Sequence, residues 1–320
     1  MQTTTTAKTD FEKEVLQGLT DFPKHLSSKY FYDAQGDALF QKIMAMPEYY
    51  LTNCEYEILD TYKEKLRQLF DTPQGFDLIE LGAGDGKKTK LLLSHFAGAE
   101  TNFTYVPIDI SQHILDLLET VVKKEIPEIN IQPKQGTYFE VLEALQTFNT
   151  RKKVILFLGS NIGNLLHAQA VDFLSKLRQV MHKDDLLFIG FDQKKNPQTI
   201  LDAYNDQTGI TAAFNKNILR RINTELGGNF DLNNFLHWEV YDPESGTAKS
   251  FLVSSCKQIV RINQLDLEVT FEPWETIHTE ISQKYDDDVV RWLAKEAGLQ
   301  IAHQVADSKN YYKNYFFQKV

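Results

Sequence analysis

Cysteine is scarce in this chain of 320 residues: only Cys54 and Cys256 occur, far apart. No disulfide framework and no cysteine-based metal site can be built from such a pair, so no metal is expected. A reducing cytoplasm is the expected setting. Basic runs are missing as well. No five consecutive residues are Lys or Arg, and the formal net charge is -10. Phosphate-backbone binding relies on basic patches, which excludes nucleic acid as an expected partner. No apolar run approaches the roughly 20 residues of a membrane span. The opening stretch, Met1 to Lys8, lacks the apolar centre of a secretory signal. The eight histidines are scattered, and none falls with Asp and Ser or Cys in a hydrolase-like pattern. Acyl-transfer chemistry is therefore not expected.

What is present is a globular composition, 42% hydrophobic, in a chain long enough for one large domain or two modest ones. Residues 1 to about 10 are polar and expected to be loose. A helical pattern runs from Phe11 to about Phe70, with Phe40, Ile43 and Met44 on one face. Apolar β-type runs follow at Leu78–Leu81, Phe103–Ile110, Val154–Leu158 and Leu186–Phe191, with helical patterns such as Ile114–Val122 and Ala168–Met181 between them. Such alternation predicts a parallel sheet covered on both faces. After Phe191 the rhythm breaks. A helix is expected over Thr199–Asn223, then strands near Phe235–Tyr241 and Lys249–Ser254. A last helix, Asp286–Ala297, is closed by Gly298. Leu299–Val305 and Tyr312–Lys319 are expected to pair as an antiparallel hairpin at the sheet edge.

The most informative stretch is Phe76 to Thr89. It reads as a buried strand, a turn containing Gly82, Gly84 and Gly86, and then a helix. Such a turn brings bare backbone close to a ligand and aims helix N–H groups at it. A dinucleotide fingerprint, G-x-G-x-x-G, would place its third glycine at position 87, where Lys87 stands. The G-x-G-x-G spacing after the acidic Glu80 is similar instead to the first motif of S-adenosylmethionine-dependent methyltransferases. In open α/β sheets ligands sit outside the carboxyl ends of the strands. Asp109, at such an end, either accepts from ribose hydroxyls or caps the following helix. Tyr138, in Gly136-Thr137-Tyr138, either flanks adenine or is a core tyrosine. Lys88 either meets a cofactor carboxylate or is solvated.

Six segments, in order along nearly the whole chain, resemble the histidine-specific Nα-methyltransferase family, whose best-known members make trimethylhistidine (hercynine) for ergothioneine biosynthesis. They are Tyr30-Phe-Tyr-Asp-Ala-Gln-Gly36, Met46-Pro-Glu-Tyr-Tyr-Leu-Thr52, Glu80-Leu-Gly-Ala-Gly84, Phe157-Leu-Gly-Ser-Asn-Ile-Gly-Asn164, Ala213-Phe-Asn-Lys-Asn217 and Thr279-Glu-Ile-Ser282. The resemblance implies a class I methyltransferase-type, Rossmann-like α/β fold: a mostly parallel sheet with a C-terminal antiparallel hairpin, plus a smaller α+β substrate lobe. The domain reading is an N-terminal helical segment over 1–60, a cofactor domain of 61–196 with 277–320, and an inserted lobe over 197–276. The resemblance places S-adenosylmethionine contacts on Gly82, Lys88, Asp109, Thr137 and Tyr138, with Gly84 and Gly86 completing the turn. Many relatives are acidic where this chain has Thr137. Amino-acid contacts fall on Tyr49, Asn164, Tyr204, Glu280 and Ser282, with Tyr32 as a further pocket residue.

These residue types suit the chemistry. Methyl transfer from a sulfonium needs a neutral amine aimed in line, and positioning matters more than covalent help. The amide of Asn164 both donates and accepts, and Tyr204 offers a hydroxyl; a turn residue and a half-buried aromatic are the plainer readings. Glu280 and Ser282 are two apart in an extended segment, so they share a side. They suit the two imidazole nitrogens, or else form a solvated strand face with Glu280 pairing Lys284. Tyr32, Tyr49 or water is expected to assist deprotonation. The expected activity is Nα-methylation of free L-histidine by a monomer acting on a small molecule. Another aromatic amino acid, such as tryptophan or a prenylated tryptophan, is the alternative substrate. A non-catalytic S-adenosylmethionine-binding regulatory protein is the alternative class.

Overall fold

A computed structural model of the chain describes residues 9–145 and 151–320. Of the loose polar start expected at residues 1 to about 10, residues 1–8 lie outside the described residues. In chain order come α1 (Asp10–Thr20), α2 (Ala34–Met44), α3 (Tyr50–Phe70), β1 (Phe76–Leu81), α4 (Thr89–Gly98), β2 (Phe103–Asp109) and α5 (Gln112–Glu125). The short β3 (Asn130–Ile131) and β4 (Lys134–Gln135) precede α6 (Tyr138–Leu145), β5 (Lys152–Phe157), α7 (His167–Val180) and β6 (Leu186–Asp192). Then follow α8 (Pro197–Tyr204), α9 (Ile210–Leu226), β7 (Phe235–Asp242), β8 (Thr247–Ser254), β9 (Gln258–Ile262), β10 (Leu267–Phe271) and β11 (Thr276–Gln283). The last elements are α10 (Asp287–Glu296), β12 (Leu299–Ala306) and β13 (Tyr312–Lys319). Among the described residues no helix is long and apolar enough to cross a membrane.

The chain divides into two compact units. One holds Leu51–Lys194 with Gln283–Val320; the other holds the described residues of Met1–Tyr50 with Lys195–Ser282. The first boundary therefore falls ten residues before the expected 60/61. The reason is α3, whose Leu66 and Phe70 are fully buried, with the Phe70 ring against Phe76, Phe96, Phe188 and Phe316 of the sheet unit. The last boundary falls after Ser282 rather than before 277, because β11 pairs with β8.

In the sheet unit the strand order is β12-β13-β6-β5-β1-β2-β3, with β4 also on β2. The inner strands run parallel, and β13 is antiparallel to both β6 and β12. This is the α/β sheet with a terminal antiparallel pair that the sequence implied. The five-residue link between β12 and β13 is held by Asp307, which accepts from the backbone N–H groups of Lys309 (2.9 Å) and Tyr312 (2.7 Å). Strand side chains alternate between faces. Ile79, Leu81, Ile155 and Leu187 meet Leu174 and Leu177 of α7 and Val290 and Leu293 of α10. The other face carries the aromatic group around Phe70. A parallel sheet must be covered in this way on both sides.

The second unit sets α1, α2, α8 and α9 with a three-stranded sheet, β11-β8-β7, and the β9–β10 hairpin. Phe11, Val15, Phe31, Phe214, Ile218, Ile222, Phe235, Leu252, Phe271 and Ile277 share its core. The single helix expected over Thr199–Asn223 is two, α8 and α9. Between them the carboxylate of Asp206 accepts from the Thr208 hydroxyl (2.5 Å) and from the N–H groups of Ile210 (3.0 Å) and Thr211 (2.7 Å). Those bonds take up the first N–H groups of α9 from ahead of its N-cap, Gly209, and start a new helix where the old one stops. Gly209, at φ +76°, makes the turn.

Candidate active site

The carboxyl ends of β1, β2 and β4 lie side by side. Gly82 N–H donates to Ile108 O (2.9 Å), and Gly136 N–H donates to Asp109 O (3.1 Å). Gly82, Gly84 and Gly86 all take positive φ, at +71°, +54° and +61°, which side chains disfavour. A Cβ on Gly86 would stand 2.4 Å from Leu118, and one on Gly82 would stand 2.7 Å from the Tyr138 hydroxyl. Gly84 differs: among the described residues, nothing beyond its chain neighbours lies within 4 Å of a Cβ there, which leaves its backbone open to a ligand. Asp109 does not cap the next helix; Ser111 does, and Asp109 accepts from the Ser111 N–H (2.9 Å).

Thr137 and Tyr138 start a helix rather than end a strand. The Thr137 hydroxyl (2.6 Å) and N–H (3.1 Å) both donate to Glu140. The Tyr138 ring lies edge-on to Phe157 and Phe173. Burial, and then the charge of Asp109, pushes the Tyr138 phenol up to about 12. Beneath the turn, Glu80 is 4% exposed and accepts from the hydroxyls of Thr89 and Tyr105. Burial raises its carboxyl to about 7, although those two bonds and the nearby Lys88 cation pull it down. Lys88 is not simply solvated. Its Nζ forms an ion pair with the fully buried carboxylate of Glu55.

After β5 the chain turns sharply, with Gly159 at φ +77° and Ser160 at φ +56°. For serine that conformation carries strain. The turn is held by Ser160 Oγ, which accepts from the Asp192 N–H (3.0 Å), and by the Tyr285 hydroxyl, which donates to Ile162 O (3.1 Å). A 3-10 helix, Asn161–Asn164, follows, and its last residue, Asn164, is exposed. Lys284 does not wait for a surface partner: it pairs with Asp192 at 2.9 Å, both fully buried. His167 packs between Tyr285 and Trp292.

In the second unit the hydroxyls of Tyr204 and Ser282 are 2.8 Å apart. The Tyr204 carbonyl accepts from His237 Nε2 (2.9 Å). Along β11, Ile277 joins the core and the Thr279 hydroxyl donates inward to Asn215 Oδ1 (2.8 Å). Alternation then puts Glu280 and Ser282 together on the opposite side. Tyr49 stacks edge-on between Phe40 and Tyr204, and Tyr32 between Phe40 and Phe214. Tyr32 is 45% exposed as a residue, yet its hydroxyl stands among dense protein atoms. That burial, and then the charge of Glu280, raises its phenol well above the ordinary range. The structure thus groups Tyr32, Tyr49, Tyr204, Glu280 and Ser282 within one unit. It groups Gly82, Lys88, Asp109 and Tyr138 within the other.

Sequence reasoning overlooked Glu55 and Asn161. The Asn161 amide lies 3.9 Å from a Cβ placed on Gly82 and 3.7 Å from one placed on Gly159. It sits in the same Phe157–Asn164 segment that drew attention to Asn164. Glu55 left a signal too: a lone charge in the buried stripe of Leu51, Cys54, Ile58 and Leu59.

The profile of a family described as "Histidine-specific methyltransferase, SAM-dependent" matches residues 11–319. Over 296 residues the chain is 36% identical to a Histidine N-alpha-methyltransferase of Mycolicibacterium smegmatis, covering 92% of this chain and 90% of that protein. It is 33% identical over 298 residues to the protein of that name from Mycobacterium tuberculosis, covering 89% and 91%. Ergothioneine biosynthesis protein 1 of Schizosaccharomyces pombe is 28% identical over 92% of this chain, which spans 39% of that longer protein.

Proposed function

The chain belongs to the histidine-specific, S-adenosylmethionine-dependent methyltransferase family, and on that premise we propose that it methylates the α-amine of free L-histidine, on to the trimethyl product. The observation that carries the choice of amino acid is the shared side of Glu280 and Ser282 on β11, with Ser282 bonded to Tyr204. A carboxylate accepts from one imidazole N–H, and a hydroxyl serves the other nitrogen. An indole has one N–H and no acceptor, so tryptophan or a prenylated tryptophan leaves one of these groups unmatched.

S-adenosylmethionine, when bound, supplies a methyl group on a positively charged sulfur. The residues of the sheet unit suit such a molecule. Gly82, Gly84 and Gly86 offer bare backbone, with Gly84 open to a ligand. Asp109 offers an acceptor for ribose hydroxyls, Thr137 and Tyr138 flank the adenine, and Lys88 offers N–H donors to the methionyl carboxylate. For the amino acid, Asn164 offers a donor and an acceptor, and Tyr204 offers a hydroxyl. The raised phenol of Tyr32 stays protonated at neutral pH, so Tyr32 acts as a donor and a ring face rather than as a base. The amine's proton passes to water. The faces of Tyr32 and Tyr49 suit the fixed cation of the product. The enzyme works as a cytoplasmic monomer in this reading.

Mass spectrometry of the protein with S-adenosylmethionine and each of the twenty amino acids in turn tests the reading. One, two and three methyl additions to histidine alone are expected. Glu280→Leu should lower kcat/KM for histidine about a hundredfold or more, since a polar site left unmatched discriminates strongly. Its affinity for the cofactor should hold. Methylated tryptophan, or full histidine turnover by Glu280→Leu, overturns the pocket assignment. Cofactor binding without turnover on any amino acid points to a binding protein instead.

A further inference from the structure

Glu55 is fully buried on α3, and its carboxylate is met from every side. Oε1 accepts from the Tyr312 hydroxyl (3.1 Å) and the Asn314 amide (3.0 Å). Oε2 accepts from the Gly159 N–H (2.8 Å) and from Lys88 Nζ. Room for it is made on β6, where Gly190 has no side chain. A Cβ there would stand 2.4 Å from Glu55 Oε1 and 2.2 Å from the Tyr312 hydroxyl. Residues from four separate stretches of chain thus converge on one carboxylate. Core packing alone does not ask for this, since well-packed hydrocarbon in place of a buried ion pair is often neutral or stabilising.

We propose that Glu55 is a positioning residue for cofactor binding: it aims Lys88, fixes the Gly159 turn beside it, and cancels the charge of Lys88. This rests on the reading that Lys88 faces the methionyl end of S-adenosylmethionine. A lysine ammonium has three N–H donors. One is taken by Glu55, and two remain for a carboxylate at the rim, where the Lys88 side chain is 21% exposed. Because the Glu55–Lys88 pair is neutral overall, it favours a zwitterionic amino-acid end over a bare anion such as a phosphate. Glu55 therefore contributes to selecting the kind of cofactor, without touching it.

Calorimetric titration of the full chain with S-adenosylhomocysteine and with 5′-methylthioadenosine, which lacks the amino-acid end, tests this. The quantity read is the ratio of the two affinities. Glu55→Gln cannot satisfy four donors with one amide, so the ratio should fall by about tenfold or more. The affinity for 5′-methylthioadenosine should stay within about twofold. If Glu55→Gln does not fold, Glu55→Asp keeps the charge but withdraws it from Lys88, and the same selective loss is expected. Equal weakening of both ligands marks a scaffold residue and overturns the proposal, as does an unchanged ratio. Lys88→Met separates the two levels. A ratio lost in Lys88→Met but kept in Glu55→Gln removes the role of Glu55 alone. A ratio kept in Lys88→Met removes the reading of Lys88 on which the proposal rests.

Discussion

A carboxyl group sealed from water holds its proton to higher pH than one at the surface. Glu80 is such a group, held at about 7 beneath the glycine turn, against an ordinary value near 4.5. The sign of its effect on stability follows. Between about pH 4.5 and 7 the folded chain binds this proton more tightly than the unfolded chain does, so stability falls as pH rises through that window. Above it the cost is full, on the order of 3 kcal/mol. Glu80→Gln keeps the shape and removes the charge. Its melting temperature relative to the parent should therefore climb from pH 5 to pH 8. A difference that stays flat across that range removes the account. The same residue shows why a site cannot be read from residue types alone. A carboxylate just before such a turn stands close to where a ligand would lie, but both oxygens of Glu80 are already engaged by Thr89 and Tyr105.

At the scale of elements, α9 explains why the stretch Ala213–Asn217 has the residues it has. Phe214 packs on Phe31, Tyr32 and Phe40, and Asn215 receives the Thr279 hydroxyl. The Asn217 amide donates to Phe31 O (3.0 Å) and to Asp33 (2.8 Å), fastening the Tyr30–Gly36 segment to the helix. Asn217→Ala removes both bonds, one from a buried carbonyl and one from the partly buried Asp33 carboxylate, which keeps the Gly36 N–H, and this costs about 1–3 kcal/mol. Urea unfolding should show that loss; a change below about 0.5 kcal/mol removes this role for the residue. The central strands were legible in the sequence because β1, β2, β5 and β6 are short, mostly apolar runs separated by helical patterns. So was the closeness of Gly82 and Asp109, since successive strand ends of a parallel sheet lie on one edge; Tyr138 comes to that edge from the start of α6. The strands β9 and β10 were not legible. Each has five residues with only alternate ones buried, too weak a pattern to separate from loop. The break at Asp206 was hidden because three side-chain hydrogen bonds make it, with no proline to announce it. The charge of Glu55 in its apolar stripe was visible, but its role was not, because its partners are 33 to 259 residues away.

At the scale of the whole molecule, each unit has its own core and is closed from two separate stretches of chain. A ligand held by the sheet unit should then stabilise that unit in particular. S-adenosylhomocysteine at a hundred times its dissociation constant adds about 2.7 kcal/mol to the state that binds it, roughly a hundredfold in opening. Hydrogen exchange should slow by that order in β1, β2 and β5 and stay unchanged in β7 and β8. Equal slowing in all five strands means that the two cores open together. The divided construction also bears on how the chain is made. The apolar face of α1, carrying Phe11, Val15 and Leu19, belongs with Phe214, Ile218 and Ile277, so it leaves the ribosome long before its partners exist. At typical rates of synthesis that wait is on the order of tens of seconds. During it that face of α1 is without its partners, a natural client for a chaperone, while the sheet unit waits longer still for the β12–β13 pair.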